Sequence, residues 1–206
     1  MNFSDIEDIY RSRVTLLDIL DERGYDTAPF RKFSPHEIAI ALASGGDSFN
    51  SLSFTAKKLD GSDKFCQVQY LKITRQKVST YFDDYPDITK AETIVMMMEP
   101  VIEIHHQLAL TLFNTKKIYV SFFSVDHLVN NPLKHFLVPK HEILTEEQEE
   151  AVMKKFHIVS KSKMPLIRYH WDPIVRIIGA VPGNIIKITR PSQSCGENIY
   201  YRCISA

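Results

Sequence analysis

The sequence changes its pattern once, at Asn130-Asn131-Pro132, and this break constrains the fold more than any other feature. Before it, segments with helical hydrophobic spacing alternate with short apolar runs that are typical of buried strands. After it, a well-capped helix is followed by a short helix and a terminal hairpin pattern. We therefore predict an α/β N-terminal domain over residues 1–131 and an α+β C-terminal domain over residues 132–206.

Two helices are expected at the start of the N-terminal domain. The first begins with a capping box between Ser4 and Glu7 and ends at Gly24, because glycine accepts the left-handed conformation of a helix stop. The second begins at Ser34-Pro35-His36-Glu37, with proline at the first helical position, and stops at Gly45-Gly46.

The rest of this domain is predicted to alternate strands and helices. A hairpin is expected around Asp60-Gly61, a pair that favours a tight turn. Pro100 is predicted to open a helix. The apolar face of that helix would carry Ile104, Leu108 and Leu112. The remaining predicted segments are strands over 52–56, 65–70, 93–98 and 118–123 and a helix over 74–85.

The C-terminal domain has sharper signals for the ends of its elements. A capping box that starts at Thr145 predicts a helix to Phe156, and its acidic run, Glu146-Glu147 with Glu149-Glu150, is expected to be a solvated first turn. Asp172 caps a short helix with Pro173 at its first position, and Gly179 ends it. A final hairpin is predicted between residues 185–190 and 198–204.

Composition and charge exclude several classes of protein. The chain is 44% hydrophobic and 24% charged, with no apolar run of about eighteen residues, so neither a membrane span nor a membrane partner is expected. Its acidic start lacks the pattern of a signal peptide. The three scattered cysteines are expected to be free thiols in a reducing compartment, with Cys66 packed in a strand.

Charge separates the two halves of the chain. Residues 1–131 carry 14 Lys or Arg against 18 Asp or Glu, and residues 132–206 carry 11 against 7. An autonomous nucleic-acid binder usually has a strong basic excess, so tight independent DNA binding is not expected. Lys187, Arg190 and Arg202 alternate with apolar residues on the last two strands. That pattern fits either a solvated sheet face or a cationic edge that docks on an acidic surface or a phosphate backbone.

The residues alone indicate no catalytic, cofactor or metal site. His135, His141 and the doublet His105-His106 lack the short ligand spacing of a zinc site. The sequence contains neither a GxSxG nucleophile elbow nor a phosphate-binding GxxxxGK[ST] loop.

A metal-dependent nuclease is an alternative that an α/β domain of this shape leaves open. Such a site needs two or three carboxylates and a lysine near a central strand. Lys72 ends the candidate strand, but Gln69 stands where an acid is needed. Asp83-Asp84 fall on the following predicted helix, as part of a solvated face. This alternative is a freestanding nuclease-like DNA-binding module.

A series of motifs runs through residues 135–202. It consists of His135, Leu137-Val138-Pro139, His141, Asp172-Pro173, Arg176, Gly179, Ile186-Lys187-Ile188, Arg190-Pro191-Ser192, Gly196 and Tyr201-Arg202. In order and spacing, this series resembles the C-terminal domain of the shared fifth subunit of eukaryotic and viral DNA-directed RNA polymerases, a family that also has a shorter archaeal member. A weaker match to the family's first helix is formed by Tyr10-Arg11, Thr15 and Arg23-Gly24-Tyr25.

The resemblance implies a non-catalytic polymerase subunit with no cofactor and no small-molecule substrate. Its C-terminal assembly domain would pack on the largest subunit, beside other subunits. Its N-terminal jaw domain, a nuclease-like layer fold without catalytic residues, would lean toward downstream DNA. The expected partner interface comprises His135, Leu137, Val138, Pro139, His141, Asp172, Pro173, Arg176, Lys187, Arg190 and Arg202.

Pro100 is the residue expected nearest the DNA. Cellular members of the family carry Thr-Pro-Ser-Ala where this chain has Glu99-Pro100-Val101-Ile102-Glu103. A helix N-terminus attracts anions, and Glu99 and Glu103 would oppose that attraction. Contact with DNA is therefore expected to be weak or indirect.

The origin of the chain is also suggested by the resemblance. The archaeal member lacks the jaw, so two domains place the chain with eukaryotic and viral versions. Its divergence from typical cellular sequences suggests a large DNA virus of the African swine fever virus kind, with the protein in the host cytoplasm and the virion. The alternatives are a nuclear location and a transcription regulator that acts off the polymerase. We also expect Arg176→Glu to weaken incorporation into the polymerase and to leave the isolated fold intact.

Overall fold

The computed structural model describes residues 3–43, 48–71 and 91–205. The chain divides between Asn131 and Pro132 into two compact units, the N-terminal unit and the C-terminal unit. Among the described residues, each unit combines helices with one four-stranded sheet. No helix within these ranges is both long and apolar enough to cross a bilayer.

The first helix, α1, spans Phe3–Glu22. Ser4 therefore lies inside the helix, and the capping box expected at that residue is wrong. The end of α1 is as predicted. Gly24 has a φ of +81°, and the amide of Tyr25 donates to the carbonyl of Leu20 at 3.0 Å. This 6→1 bond is the pattern of a helix that terminates at a glycine.

The second helix, α2, spans Pro35–Ala43 and begins with the predicted cap. The amide of Ser34 donates to the Glu37 carboxylate at 2.6 Å, and the amide of Glu37 donates to the Ser34 hydroxyl at 3.3 Å. These hydrogen bonds lower the pKa of Glu37. The predicted stop at Gly45-Gly46 and the predicted helix over 74–85 lie outside the described residues.

The sheet of the N-terminal unit has the strand order β1-β2-β3-β4. β1 (Phe54–Lys57) and β2 (Phe65–Leu71) form the predicted antiparallel hairpin, with Gly61 at a φ of +74° in its turn. β3 (Ala91–Met97) pairs in parallel with β2, and β4 (Tyr119–Ser124) pairs in parallel with β3. The predicted strands of this unit are therefore confirmed within a residue or two at their ends.

The third helix, α3, spans Glu103–Lys116 and packs on one face of that sheet. Pro100 does not open it, because the first helical turn is capped at Ile102, whose amide donates to Nδ1 of His105 at 3.1 Å. This bond draws the His105 ring inward and leaves Ile104 52% exposed. The predicted apolar face is therefore confirmed at Leu112, which is buried, and at Leu108, which packs against the core, and it is wrong at Ile104. The buried residues of α3 are His105, Ala109, Leu112 and Phe113. A short helix, α4 (Val125–Leu128), follows β4.

A buried cation, Arg13 of α1, lies against the other face of the sheet. It is 2% exposed, and its guanidinium lies 4.8 Å from the ring centroid of Phe33 and 4.7 Å from that of Phe54. Its Nη1 donates to the carbonyl of Leu52 at 2.7 Å. Aromatic faces attract a guanidinium most strongly where water is excluded, so these contacts hold α1 to the sheet.

The sheet of the C-terminal unit has the order β5-β7-β8-β6. β7 (Ile185–Ser192) and β8 (Gly196–Ser205) form the predicted terminal hairpin. β5 (Lys140–Ile143) is antiparallel to β7, and β6 (Leu166–Arg168) is parallel to β8. The hairpin is therefore the centre of this unit.

Two helices cover opposite faces of this second sheet. α5 spans Glu146–Lys155 and α6 spans Pro173–Ile178, with the predicted caps at Thr145 and Asp172. Successive strand residues point to opposite faces, and the packing follows that alternation. The clusters on the two faces are Met153, Ile185 and Cys203 on the α5 side, and Val175, Ile186 and Ile188 on the α6 side.

A buried carboxylate joins α5 to the sheet. Glu149 is 5% exposed, its Oε1 accepts from the amide of Ile185 at 2.7 Å, and its Oε2 pairs with Lys161. The Lys161 ammonium also donates to the carbonyl of Gly183 at 2.8 Å. Buried charge is tolerated when it is paired and hydrogen-bonded. The expectation of a fully solvated acidic turn is therefore wrong at this one position.

Candidate partner-docking surface

An exposed turn immediately before β5 presents two adjacent apolar side chains. The amide of Val138 donates to the carbonyl of His135 at 2.9 Å and closes the turn. Within it, Phe136 is 86% exposed and Leu137 is 72% exposed. Because the backbone is hydrogen-bonded, these side chains are held in solvent rather than folded onto the unit's own core. We name residues 135–139 the docking turn.

Both histidines of the predicted interface form local hydrogen bonds. Nδ1 of His135 accepts from the amide of Leu137 at 3.2 Å, and the His135 ring stacks on Phe136 with centroids 5.1 Å apart. The Nδ1–H of His141 donates to the carbonyl of Pro139 at 2.7 Å. The two rings therefore brace the docking turn from both ends. In the described part of the chain, no cluster of His, Cys, Asp and Glu has the arrangement of a metal site.

Asp172 and Pro173 have a structural reason to stand where they do. Oδ1 of Asp172 accepts from the amides of Ile174 and Val175 at 2.9 and 3.1 Å, which caps α6. Gly179, at a φ of +70°, ends the same helix. These residues fix the helix locally, and their contact with a partner stays a prediction.

Arg176 lies inside the C-terminal unit. It is 6% exposed, and burial lowers the pKa of its guanidinium to about 10 against the opposing effect of Asp172. The expectation that Arg176→Glu leaves the fold intact conflicts with this burial, because the variant would place two carboxylates together in a desolvated position. A direct contact between Arg176 and a partner stays a prediction.

The three cations of the last strands do not share one face. Strand alternation puts Lys187 on the α5 side, where it lies 3.5 Å from Glu142. The same alternation puts Arg190 and Arg202 on the α6 side. Arg190 lies over the ring of Tyr200 at 5.1 Å, and Arg202 donates to a backbone carbonyl of β6 at 3.1 Å. The continuous cationic edge considered from the sequence is therefore split by the sheet.

The register of the second sheet brings part of the predicted interface together. His141 pairs with Ile188, and Ile188 pairs with Tyr200, so these residues form one row across three strands. Arg190 lies beside this row on the same face. The docking turn is joined to His141 by the hydrogen bond at the Pro139 carbonyl. Of the predicted residues, His141, Arg190 and Arg202 thus share one face of the sheet.

Sequence reasoning did not single out Phe136, although the structure exposes it beside the predicted Leu137. The available signal was the apolar run Phe136-Leu137-Val138 before Pro139, which has the period of neither a helix nor a strand. A short aperiodic apolar run in a turn cannot be buried by its own element, so it is a candidate for burial by another chain.

The described strands of the N-terminal unit do not carry the carboxylates of a nuclease. Gln69 on β2 is buried. Glu92 on β3 is paired with Arg23 and accepts from the hydroxyl of Tyr25 at 3.3 Å, so its charge is already neutralised within the unit. Burial, together with Glu92, raises the pKa of Tyr25. The other residues of the nuclease alternative lie outside the described residues: Lys72 and Asp83-Asp84.

All three cysteines are free, as expected. Cys66 is buried in β2, and burial raises the pKa of its thiol. A thiol that stays protonated in an apolar interior is a poor nucleophile. Cys66 is therefore a packing residue.

Residues 130–204 match the family model for the C-terminal domain of RNA polymerase Rpb5. This range contains the docking turn and both helices of the C-terminal unit. The match therefore falls on the part of the chain that carries the candidate surface.

Named relatives match either most of the chain or a shorter stretch. Subunit 5B of DNA-directed RNA polymerases IV and V from Arabidopsis thaliana is 29% identical over 204 residues, covering 95% of this chain and 89% of the relative. Subunit rpabc1 of DNA-directed RNA polymerases I, II and III from Dictyostelium discoideum is 27% identical over 202 residues, covering 96% and 98%. Subunit Rpo5 of the RNA polymerase from Archaeoglobus fulgidus is 47% identical over 70 residues, covering 34% of this chain and 90% of the relative.

Proposed function

The chain belongs to the family of RNA polymerase subunit 5, and we propose that it docks on the largest subunit of a DNA-directed RNA polymerase through its docking turn. As a family member it is a non-catalytic component of the polymerase, whose bond-making chemistry belongs to other subunits. In this proposal the N-terminal unit is the jaw, a nuclease-like layer without a catalytic role, and it lies beside the downstream DNA.

The observation that carries the docking proposal is the exposure of Phe136 and Leu137 side by side within the matched region. Complete burial of a Leu or Phe side chain contributes about 1.5–3 kcal/mol, and a few such anchors dominate the free energy of most interfaces. A stable interface buries more than about 1,000 Å². The two side chains therefore suit the centre of a larger contact, which His141, Tyr200 and Arg190 extend along the sheet.

For the DNA, we propose a weak or indirect contact near Pro100. Glu99 and Pro100 are exposed, and Glu103 stands in the first turn of α3. A carboxylate in the first turn of the helix, with a second one three residues before the cap, repels phosphate and offsets the attraction of the free amides. The net negative charge of residues 1–131 supports the same conclusion.

We also propose that the source is a large DNA virus and that the protein acts in the host cytoplasm and is packaged in the virion. The support is the two-unit organisation together with identities of only 29% and 27% to cellular subunits over nearly the whole chain. Immunoblotting of purified virions and of cytoplasmic and nuclear fractions tests this proposal, and an exclusively nuclear signal contradicts it.

Affinity purification of the tagged full-length chain from its source tests the docking proposal. We expect the wild type and the control Leu59→Asp, whose side chain is 69% exposed in the N-terminal unit, to retain the large polymerase subunits at a fixed stoichiometry. The double variant Phe136→Asp, Leu137→Asp should retain at least about tenfold less. Since both side chains are exposed, its circular dichroism should match that of the wild type.

Two results contradict the docking proposal. Full retention by the double variant shows that the docking turn is not the contact. Substoichiometric capture by the wild type supports the regulator that acts off the polymerase instead.

A further inference from the structure

The end of α5 forms a second exposed apolar feature, and its geometry follows from a helix stop without glycine. His157 takes the left-handed conformation at a φ of +52°. The amide of Ile158 then donates to the carbonyl of Met153 at 2.9 Å, and the amide of His157 donates to that of Lys154 at 3.2 Å. This pair of hydrogen bonds brings the side chains of Met153 and Ile158 together. Met153 and Ile158 pack on the edge of the core cluster and form the floor of a groove.

Val159 projects from the rim of this groove and is 95% exposed. It is held there because it stands between two ordered turns. The helix stop precedes it, and Ser160 follows it, where the hydroxyl accepts from the amide of Ser162 and caps a short 3₁₀ turn. The open groove has a volume of about 580 Å³ and is lined by Glu150, Met153, Lys154, His157, Ile158 and Val159. The protein thus presents a fixed apolar side chain beside an apolar depression.

The chain around the groove is predominantly basic. Residues 153–163 contain four lysines and no Asp or Glu. Lys154 and Lys163 are exposed, and the acid on the lining, Glu150, lies 3.7 Å from the Lys154 ammonium. A partner that fills the groove therefore meets apolar contacts at the centre and ammonium groups at the rim.

The lining of the groove decides between a peptide and a nucleic acid as the partner. It contains no Phe, Tyr or Trp ring on which a base could stack. Phe156 lies outside the lining, with its ring 5.8 Å from that of Tyr201. The exposed aliphatic Val159 likewise suits an apolar side chain and offers nothing to a phosphate backbone.

We propose that this groove, the α5-end groove, binds an acidic segment of another polypeptide that inserts one or two apolar side chains. The site is separate from α6, because α5 and α6 cover opposite faces of the sheet. The segment binds independently of docking through the docking turn, so the subunit has a second surface for recruiting an acidic protein.

Fluorescence anisotropy with the full-length chain tests the proposal. The probe is a labelled synthetic peptide in which Asp and Glu alternate with Leu and Phe. We expect saturable binding that Val159→Ser and Val159→Asp each weaken at least about tenfold. Val159 is almost fully exposed, so both variants should keep the wild-type circular dichroism. Leu137→Asp, on the docking turn, is the matched control and should bind the peptide as the wild type does.

Four results overturn the proposal: no binding of the peptide, equal binding by Val159→Ser, equal binding of a control peptide with Ser and Gln in place of Leu and Phe, or tighter binding of a single-stranded oligonucleotide of the same charge. Failure of the docking proposal gives a different result from these four. The Phe136→Asp, Leu137→Asp variant would then be incorporated normally into the polymerase. Val159→Asp should be incorporated normally whether or not the docking proposal holds.

Discussion

The two units differ in how much apolar side chain they leave in solvent. Among the described residues, four large hydrophobic side chains are exposed in the N-terminal unit and nine in the C-terminal unit, although the N-terminal unit is the longer of the two. Adjacent exposed apolar residues mark surfaces that other chains cover. Within the described ranges, the C-terminal unit therefore offers more apolar surface for a partner to cover than the N-terminal unit does.

Each interior buries charge but holds it with different contacts, and the C-terminal unit buries both signs, in Glu149 and Arg176. In the N-terminal unit, Arg13 is held by aromatic rings and a carbonyl. In the C-terminal unit, Glu149 is held by an ammonium and a backbone amide. Loss of the first charge should act mainly through packing, and loss of the second through unsatisfied hydrogen bonds. Variants at buried charges therefore test each interior separately.

Reversal of the charge of Arg176 should have the largest effect. Arg176→Glu places a second carboxylate beside Asp172 in a buried position and should lower the free energy of unfolding of the C-terminal unit by more than about 4 kcal/mol. Trp171 is the single tryptophan and lies in this unit, so its fluorescence during urea unfolding reports the loss. Arg168→Glu, at an exposed position, is the control. A shared urea midpoint for the two variants contradicts the assigned burial.

Removal of Arg13 should have the next largest effect, confined to the N-terminal unit. Arg13→Ala leaves a cavity among aromatic rings and should lower the free energy of unfolding by about 3–4 kcal/mol. Hydrogen exchange of α1 and β2 amides should accelerate while the Trp171 transition stays unchanged. The control is Arg11→Ala, since Arg11 is an exposed partner of Glu7 at 3.3 Å. Equal exchange rates in Arg13→Ala and Arg11→Ala would mean that the contacts of Arg13 with the aromatic rings do not stabilise the N-terminal unit.

Loss of the Glu149 carboxylate should have an intermediate effect on the C-terminal unit. Glu149→Ala leaves the Ile185 amide and the Lys161 ammonium without their acceptor, and should lower the free energy of unfolding by about 2–3 kcal/mol. Glu149→Gln can still accept from the amide and should lose less. Glu150→Ala, at an exposed position, should change little. We expect the urea midpoint to be lowest for Glu149→Ala, higher for Glu149→Gln and highest for Glu150→Ala. Equal midpoints for Glu149→Gln and Glu149→Ala would show that the hydrogen bond from the Ile185 amide does not stabilise the unit.

The smallest effect is a pH dependence in the N-terminal unit. Burial lowers the pKa of His105 from its ordinary 6.5, against an opposing effect of Glu99. The unfolded chain therefore binds a proton at His105 more readily than the folded chain does. The contribution of His105 to the free energy of unfolding is complete above pH 6.5 and is lost as the pH falls below that value. His105→Gln keeps an acceptor for the Ile102 amide and removes the titration.

Unfolding of wild type and His105→Gln at several pH values measures this effect. The free energy of opening, obtained from hydrogen exchange of α3 amides, should vary less with pH in the variant than in the wild type. The expected difference is below about 1 kcal/mol. Identical pH profiles for the two proteins rule out a contribution from this ring.

The sequence predicts most helix ends whose determinants lie within a few residues, although the capping box expected at Ser4 is wrong. Gly24, Thr145 and Asp172 each stop or start a helix through bonds to backbone groups one turn away, and all three predictions are confirmed. A short-range motif of this kind requires no knowledge of the rest of the fold.

The same reasoning fails where the outcome depends on distant strands. Nothing local shows that Glu149 reaches the amide of Ile185, or that Arg176 is enclosed by a sheet formed later in the chain. The predicted start of α3 is wrong because His105 acts as the capping acceptor, a role that proline rules do not anticipate. For the candidate surface, the motifs locate the docking turn, but only the register shows that Lys187 and Arg190 face opposite sides.

Site-specific photo-crosslinking tests whether the docking turn contacts the largest subunit. A photoreactive amino acid is placed at position 137 in the docking turn or at position 59 in the N-terminal unit, both of which carry exposed leucines. Crosslinked products from purified polymerase are then identified by mass spectrometry. We expect position 137 to capture the largest subunit and position 59 not to capture it. Capture of the largest subunit from position 59 alone, with none from position 137, would contradict the docking proposal.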